Sequence, residues 1–178
     1  MKKILLFVWE TAKIVIVSLA IIIPVRYYLV QPFFVRGASM EPNFDNGQYL
    51  VINEIGYRIY QPKRGDVVVF NYPLDESQYY IKRIIGLPNE KIEIKDGAVF
   101  INDVALDESL YLPETIFTSG NMAVNLKNRE YFVLGDNRYA SSDSRRWGAL
   151  PREDIVGRVV LRAWPFTALA KFETPAYE

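Results

Sequence analysis

EKIEIK-DG-AVFIN, residues 90–102, decides the fold class. Apolar and polar residues alternate on both sides of Asp96–Gly97, a dipeptide that tolerates the positive φ angles of a two-residue hairpin turn. The stretch therefore predicts two antiparallel strands, each with one face turned to a core. Outward from it the same pattern recurs as short β-branched and aromatic runs separated by Gly, Pro, Asn and Asp: FFVRG (33–37), QYLVINE (48–54), DVVVFNY (66–72), QYYIKRIIG (78–86), EYFVLG (130–135) and DIVGRVVLRAW (154–164). Eight or so such strands across residues 31–178 predict a mainly β body, arranged as one sandwich or barrel-like core. Between 103 and 127 the periodicity fades into a loop-rich, cap-like excursion.

Residues 1–30 read differently. Ile4 to Val25 forms a 22-residue apolar run interrupted only by Glu10 and Lys13 among charged residues. At helical rise that length crosses a hydrocarbon core of roughly 30 Å. Glu10 and Lys13 lie three apart and can pair, or the span can start near Lys13 and end with Tyr27 and Tyr28 at the interface. The bulky VRYYLVQPFFVR that follows offers no small-residue cleavage site, which favours a retained anchor over a removed signal. Lys2, Lys3 and Lys13 keep the N-terminus cytoplasmic, and the opposing Arg26 and Arg36 lead into a long domain that translocates with little regard to charge. The expected organisation is a single N-terminal transmembrane helix in residues 1–30 and an extracytoplasmic body in 31–178.

Composition limits the chemistry. The chain has 178 residues, no His and no Cys, and 21 basic against 21 acidic groups. Histidine-based triads, thiol nucleophiles, imidazole or thiolate zinc sites and disulfides are all excluded. Balanced charge gives no reason to propose a nucleic-acid partner.

The run YYIKRII (79–85) poses a physical problem. Alternation places Tyr80, Lys82 and Ile84 on one face, and Ile81, Arg83 and Ile85 on the other. Burying either face carries a cation inward. An inward Arg83 stays charged and needs a carboxylate, whereas an inward Lys82 can shed its proton and become a general base. The plain alternative is a lysine that snorkels to water or pairs with an acid. A base needs a nucleophile, and VRGASMEP supplies Ser39 after a predicted strand, between Gly37 and Pro42; by itself such a serine also fits an ordinary turn. VLGDNRYASSDSRRWG (133–148) is dense in hydroxyls and opposite charges, which also suits a surface loop pinned by Asp–Arg pairs.

Taken together, GASMEP, RGDVVVF, YIKRIIGLP and GDNRYASSDSRRWG resemble, in order and context, the bacterial type I signal peptidases, or leader peptidases. The resemblance covers the apolar segment and nearly all of the body. It implies a membrane-bound serine endopeptidase that removes signal peptides from secreted preproteins through a Ser/Lys dyad, with Ser39 as nucleophile and Lys82 as general base. It further implies Met40 beneath the site, a hydrogen bond from Ser141 to the lysine amine, an Asp143–Arg145 ion pair, a turn shaped by Gly135, Asp136 and Asn137, and a structural Asp66. Gly37 stands where some relatives carry a hydroxyl, which leaves the oxyanion to backbone N–H groups including that of Ser39. Asn43 and Phe44 stand where Thr and Leu are common.

The short 103–127 segment resembles the compact Gram-positive type. No metal or cofactor is implied. The implied partners are preproteins, the lipid bilayer and the secretion machinery, and the implied location is the cell membrane. Residues 31–40 and 66–73 are the implied pocket segments. Phe33, Phe34, Trp164 and Phe166 either seat the body on lipid or belong to the core. The contrasting function is an inactive, membrane-anchored β module acting as a scaffold.

Overall fold

A computed structural model describes residues 2–24, 31–113, 115–175 and 177. The apolar N-terminal run forms helix α1 (Lys2–Pro24), where Lys13 and Glu10 pair at 2.7 Å. Its side chains are described without a break only from Leu6 to Ile22. Among the described residues, no helix is long and apolar enough to cross a membrane. Arg26, Tyr27 and Tyr28 lie outside the described residues.

The eight expected strands all form. In chain order the elements are β1 (Gln31–Phe34), β2 (Tyr49–Asn53), the short helix α2 (Gly56–Ile59), β3 (Val67–Tyr72), β4 (Asp75–Gly86), β5 (Lys91–Lys95), β6 (Ala98–Ile101), β7 (Val104–Ala105), β8 (Met122–Asn125), β9 (Glu130–Leu134), the short helix α3 (Ser144–Trp147), β10 (Leu150–Pro151), β11 (Ile155–Trp164) and β12 (Ala170–Lys171). Four strands and two helices go beyond the sequence reading. None of them exceeds four residues, too short to display a period.

The strands build two antiparallel sheets, and the body is mainly β as expected. The larger runs β1-β2-β11-β3-β4-β9-β10, with β12 also on β11, and the smaller runs β7-β6-β5-β8. The hairpin that announced the fold thus belongs to the smaller sheet. Asp96 and Gly97 both take positive φ (51° and 81°), and Ile92, Ile94, Val99 and Ile101 are buried. Part of the 103–127 excursion is strand as well, since β8 pairs with β5.

Strand β3 shows why the large sheet can hold a dry site. Val67 and Val69 pack with Met40, Phe44, Leu50 and Ile52 on one face, while Val68 and Phe70 pack with Ile84, Tyr131, Val133 and Leu150 on the other. Both faces are covered, so four consecutive apolar residues are buried, each such side chain contributing roughly 1.5–3 kcal/mol. A third cluster, which includes Ile85, Phe132 and Leu134 of the large sheet and Ile92 and Ile94 of the small one, joins the two. Strand β4 runs between β3 and β9, and its second half, from Lys82 to Gly86, is buried.

Candidate active site

Strand β4 brings Lys82 and Arg83 into this interior, 4% and 5% exposed respectively. They leave the strand on opposite sides. Arg83 finds its carboxylate: Nε and Nη2 donate to Asp136 at 2.8 and 2.6 Å, and the Tyr111 ring lies 4.1 Å away. Asn43 Nδ2 donates to the same carboxylate at 2.8 Å and to the Tyr111 carbonyl at 2.8 Å. This Asp136 contact was not visible in sequence, although a cation inside an apolar strand already signalled the need for one.

Lys82 has no carboxylate partner within ion-pair distance among the described residues. Its Nζ lies 2.8 Å from Ser39 Oγ and donates to the Ile81 carbonyl at 2.7 Å. The Tyr80 ring, stacked on Tyr72 at 4.3 Å, lies 5.4 Å from Nζ and walls it from solvent. Burial pushes the amine pKa down from 10.5 to about 8, and the negative charges of Asp143 and Asp136 limit the fall. A substantial fraction of the amine is therefore neutral slightly above neutral pH, when its lone pair can accept the Ser39 proton.

Ser39 sits on the turn after β1, held by its own backbone. The Asn137 N–H donates to the Ser39 carbonyl at 3.1 Å. A Cβ at Gly135 would overlap that carbonyl and Ser141 Oγ, so only glycine fits there. Gly37 takes φ 92° and its N–H donates to Asn46 Oδ1 at 3.0 Å, which pins the loop. Met40 is buried beneath, in the cluster with Val35, Phe44 and Leu50.

The last block of the motif forms the expected brace, with one difference. Arg145 donates to Asp143 through Nε and Nη2, both at 2.8 Å. Burial pulls the Asp143 carboxyl upward, but Arg145 and the Gly135 N–H outweigh it and hold the pKa below the ordinary carboxylate value. Asp143 also caps α3. Ser141 is buried beside Asp143, where its hydroxyl helps hold that carboxyl down, and its Oγ makes no hydrogen bond to the lysine amine. The amine reaches Ser39 and Ile81 instead. Asp66 is buried and accepts from Tyr57 Oη and Lys63 N, each at 2.8 Å, and from Thr174, consistent with a structural role.

A groove of about 530 Å³ opens over Ser39 and Lys82, its apolar wall including Phe33, Val35, Leu50, Val69 and Ile81. Its lining overlaps the segments 31–40 and 66–73 and adds Ser77–Ile81. The addition arises because β4 begins at Asp75, ahead of its apolar run. Strand β1 ends the large sheet, and β4 pairs with β9 only from Arg83 onward, which leaves the edge at Ser77–Ile81 open among the described residues. An extended peptide can pair with such edges.

The chain matches known proteins along most of its length. The family model described as signal peptidase, peptidase S26, matches residues 8–164. A probable signal peptidase I-2 of Synechocystis sp. is 36% identical over 162 residues, covering 88% of this chain and 73% of that protein. A signal peptidase IB of Staphylococcus aureus is 33% identical over 167 residues, covering 85% and 86%. A crystal structure of a signal peptidase I from Enterococcus faecalis covers 56% of this chain and 97% of its own, at 30% identity and a TM-score of 0.49. By the family model and the 36% identical relative, the chain belongs to the signal peptidase family, peptidase S26.

Proposed function

We propose that the chain is a membrane-bound serine endopeptidase that removes signal peptides from preproteins, with Ser39 as nucleophile and Lys82 as general base. The observation that carries this reading is the 2.8 Å contact between a buried lysine amine and the serine hydroxyl. Neutral Lys82 takes the Ser39 proton as Oγ attacks the scissile carbonyl. The resulting ammonium returns that proton to the leaving amine, giving an acyl-enzyme, and the neutral amine then activates water to release it. No acceptor for the Ser39 N–H is found among the described residues, so this donor is free to stabilise the oxyanion. Gly37, Met40, Asp143 and Arg145 act by holding the serine loop, and Ser141 stands beside the dyad.

Substrate and membrane roles follow from the same architecture. The extended substrate lies in the groove between the open edges of β1 and β4, and small side chains before the cut suit its shallow apolar wall. Residues 1–30 serve as anchor and 31–178 as the extracytoplasmic catalytic body. The exposure of four successive apolar residues, Ile14 to Val17, supports the anchor, because at 100° per residue they point to all sides of α1. Phe34, Tyr49, Trp164 and Phe166 form an exposed aromatic patch suited to lipid, with Phe34 and Tyr49 in edge contact at 5.0 Å and Trp164 and Phe166 at 4.8 Å. Phe33 is the exception, packing on the core.

The test is Ser39→Ala in the full chain, assayed for cleavage of a precursor in detergent micelles. Loss of cleavage with an unchanged far-UV spectrum is expected. Undiminished cleavage overturns the assignment, and a wild type that never cleaves favours the scaffold.

A further inference from the structure

The groove holds one cation that the proposed reaction leaves unused. Two charged side chains line it, Lys82 and Arg36, and no carboxylate does. Lys82 is buried against Ser39. Arg36 is exposed and makes no ion pair among the described residues, whereas Arg64, Arg83, Arg138 and Arg145 each hold a carboxylate. The backbone that presents Arg36 is fixed. On one side Val35 donates to the Gln48 carbonyl at 2.9 Å and accepts from Gly47 N at 3.0 Å; on the other, Gly37 N is held by Asn46. Arg36 is thus an unpaired guanidinium on a rigid ledge of the groove, without a nearby lining carboxylate to satisfy it.

Arg36 lies three residues before Ser39, a span of at most about 10 Å of chain. An extended peptide rises about 3.3 Å per residue. A side chain that meets this guanidinium therefore belongs to one of the residues flanking the cleaved bond. We propose that Arg36 is a specificity residue that favours an Asp or Glu side chain within about three residues of the scissile bond. This rests on reading the groove as the site of peptide cleavage. Arg36 takes no part in the bond-breaking steps; its charge acts on which peptide is held.

The test uses the full chain in neutral detergent at low ionic strength. A precursor that it cleaves is varied singly to Asp, Asn or Lys at each position near the cut that tolerates Asn, and kcat/KM is measured. At one position Asp is expected to exceed Asn by about two- to five-fold, with Lys below both, as befits a partly exposed ion pair. The preference should fade in high salt, vanish in Arg36→Gln and invert toward Lys in Arg36→Glu. Equal Asp-to-Asn ratios in wild type and Arg36→Gln at every position overturn the proposal. So does a loss in Arg36→Gln that is uniform across substrates and seen only with anionic vesicles, which makes Arg36 a lipid contact. Absence of cleavage of the unvaried precursor by the wild type is a separate failure, that of the peptidase reading itself.

Discussion

Lys82 and Arg83 are neighbours on one strand, equally buried, and the protein treats them in opposite ways. Arg83 is clamped by a buried carboxylate through two hydrogen bonds. Lys82 receives no such partner and is left 2.8 Å from a hydroxyl. The difference follows from what each cation can do. A guanidinium cannot discard its charge in a dry site and must be neutralised, whereas an amine can lose its proton and keep a lone pair free to accept one. One residue step along β4 therefore separates a structural ion pair from a candidate catalytic base.

The largest effect comes from making the two sides alike. Lys82→Arg places a permanent cation where no carboxylate partner lies among the described residues and removes the group proposed to deprotonate Ser39. Precursor cleavage should fall by about four orders of magnitude or more at every pH from 6 to 10, in line with loss of a nucleophile's base. Activity that survives at neutral pH rejects the general-base role. The wild type itself should become faster as pH rises through about 8, the depressed Lys82 value, and then level.

Breaking the other side should damage the fold first. Asp136→Asn strips the charge that holds Arg83 and should lower unfolding free energy by about 3–5 kcal/mol in urea titrations. Asp136 also props up the Lys82 pKa. Any folded fraction should therefore show its pH–rate midpoint displaced to lower pH. A midpoint moving upward, or unchanged stability, contradicts the division of labour between the two cations.

Much of this contrast was legible in the chain. Alternation in YYIKRII put the two cations on opposite faces, the Asp–Gly turn fixed a hairpin, and the four motif blocks named Ser39, Lys82, Asp143 and Arg145. What escaped was long-range or short. Asp136 meets Arg83 across 53 residues of chain and Asn43 meets Asp136 across 93, and no local pattern encodes such pairings. Strand β8 buries only part of alternate side chains, so its period was too weak to separate it from loop. How the strands divide between the two sheets was hidden for a related reason: a hairpin pattern reports one buried face and not which layer will cover it.

A stability measurement tests whether burial alone sets the Lys82 side. The amine's pKa falls from 10.5 to about 8 on folding. Between those values the unfolded chain binds more protons than the folded one, so wild-type stability rises with pH across that window. Below about 8 the penalty is complete, about 3 kcal/mol. Lys82→Met, similar in length and uncharged, should therefore be more stable than wild type by about that amount at pH 7, with the advantage shrinking as pH approaches 10.5. The same substitution at Arg83 should destabilise at all these pH values, because it leaves Asp136 buried without its cation. Two Met variants one residue apart, with stability changes of opposite sign, are the sharpest form of the comparison.

The smallest expected effect concerns Ser141, whose buried hydroxyl makes no hydrogen bond to the lysine amine at rest. Its removal leaves Asp143 held by Arg145 and the Gly135 N–H, so Ser141→Ala should alter unfolding free energy by no more than about 1 kcal/mol. Catalysis makes a different demand. Once Lys82 has taken the serine proton it carries three N–H groups, while among the described residues the Ile81 carbonyl and the Ser39 oxygen are the acceptors it already meets. A third acceptor beside the dyad then becomes valuable, and the Ser141 Oγ is placed near both Asp143 and the Ser39 carbonyl through their shared contact with Gly135. Ser141→Ala should accordingly reduce kcat by about ten-fold with little change in KM, and Ser141→Thr should restore part of it. A variant that loses stability while keeping kcat reverses this reading, since it shows a hydroxyl that holds the resting fold and not the ammonium.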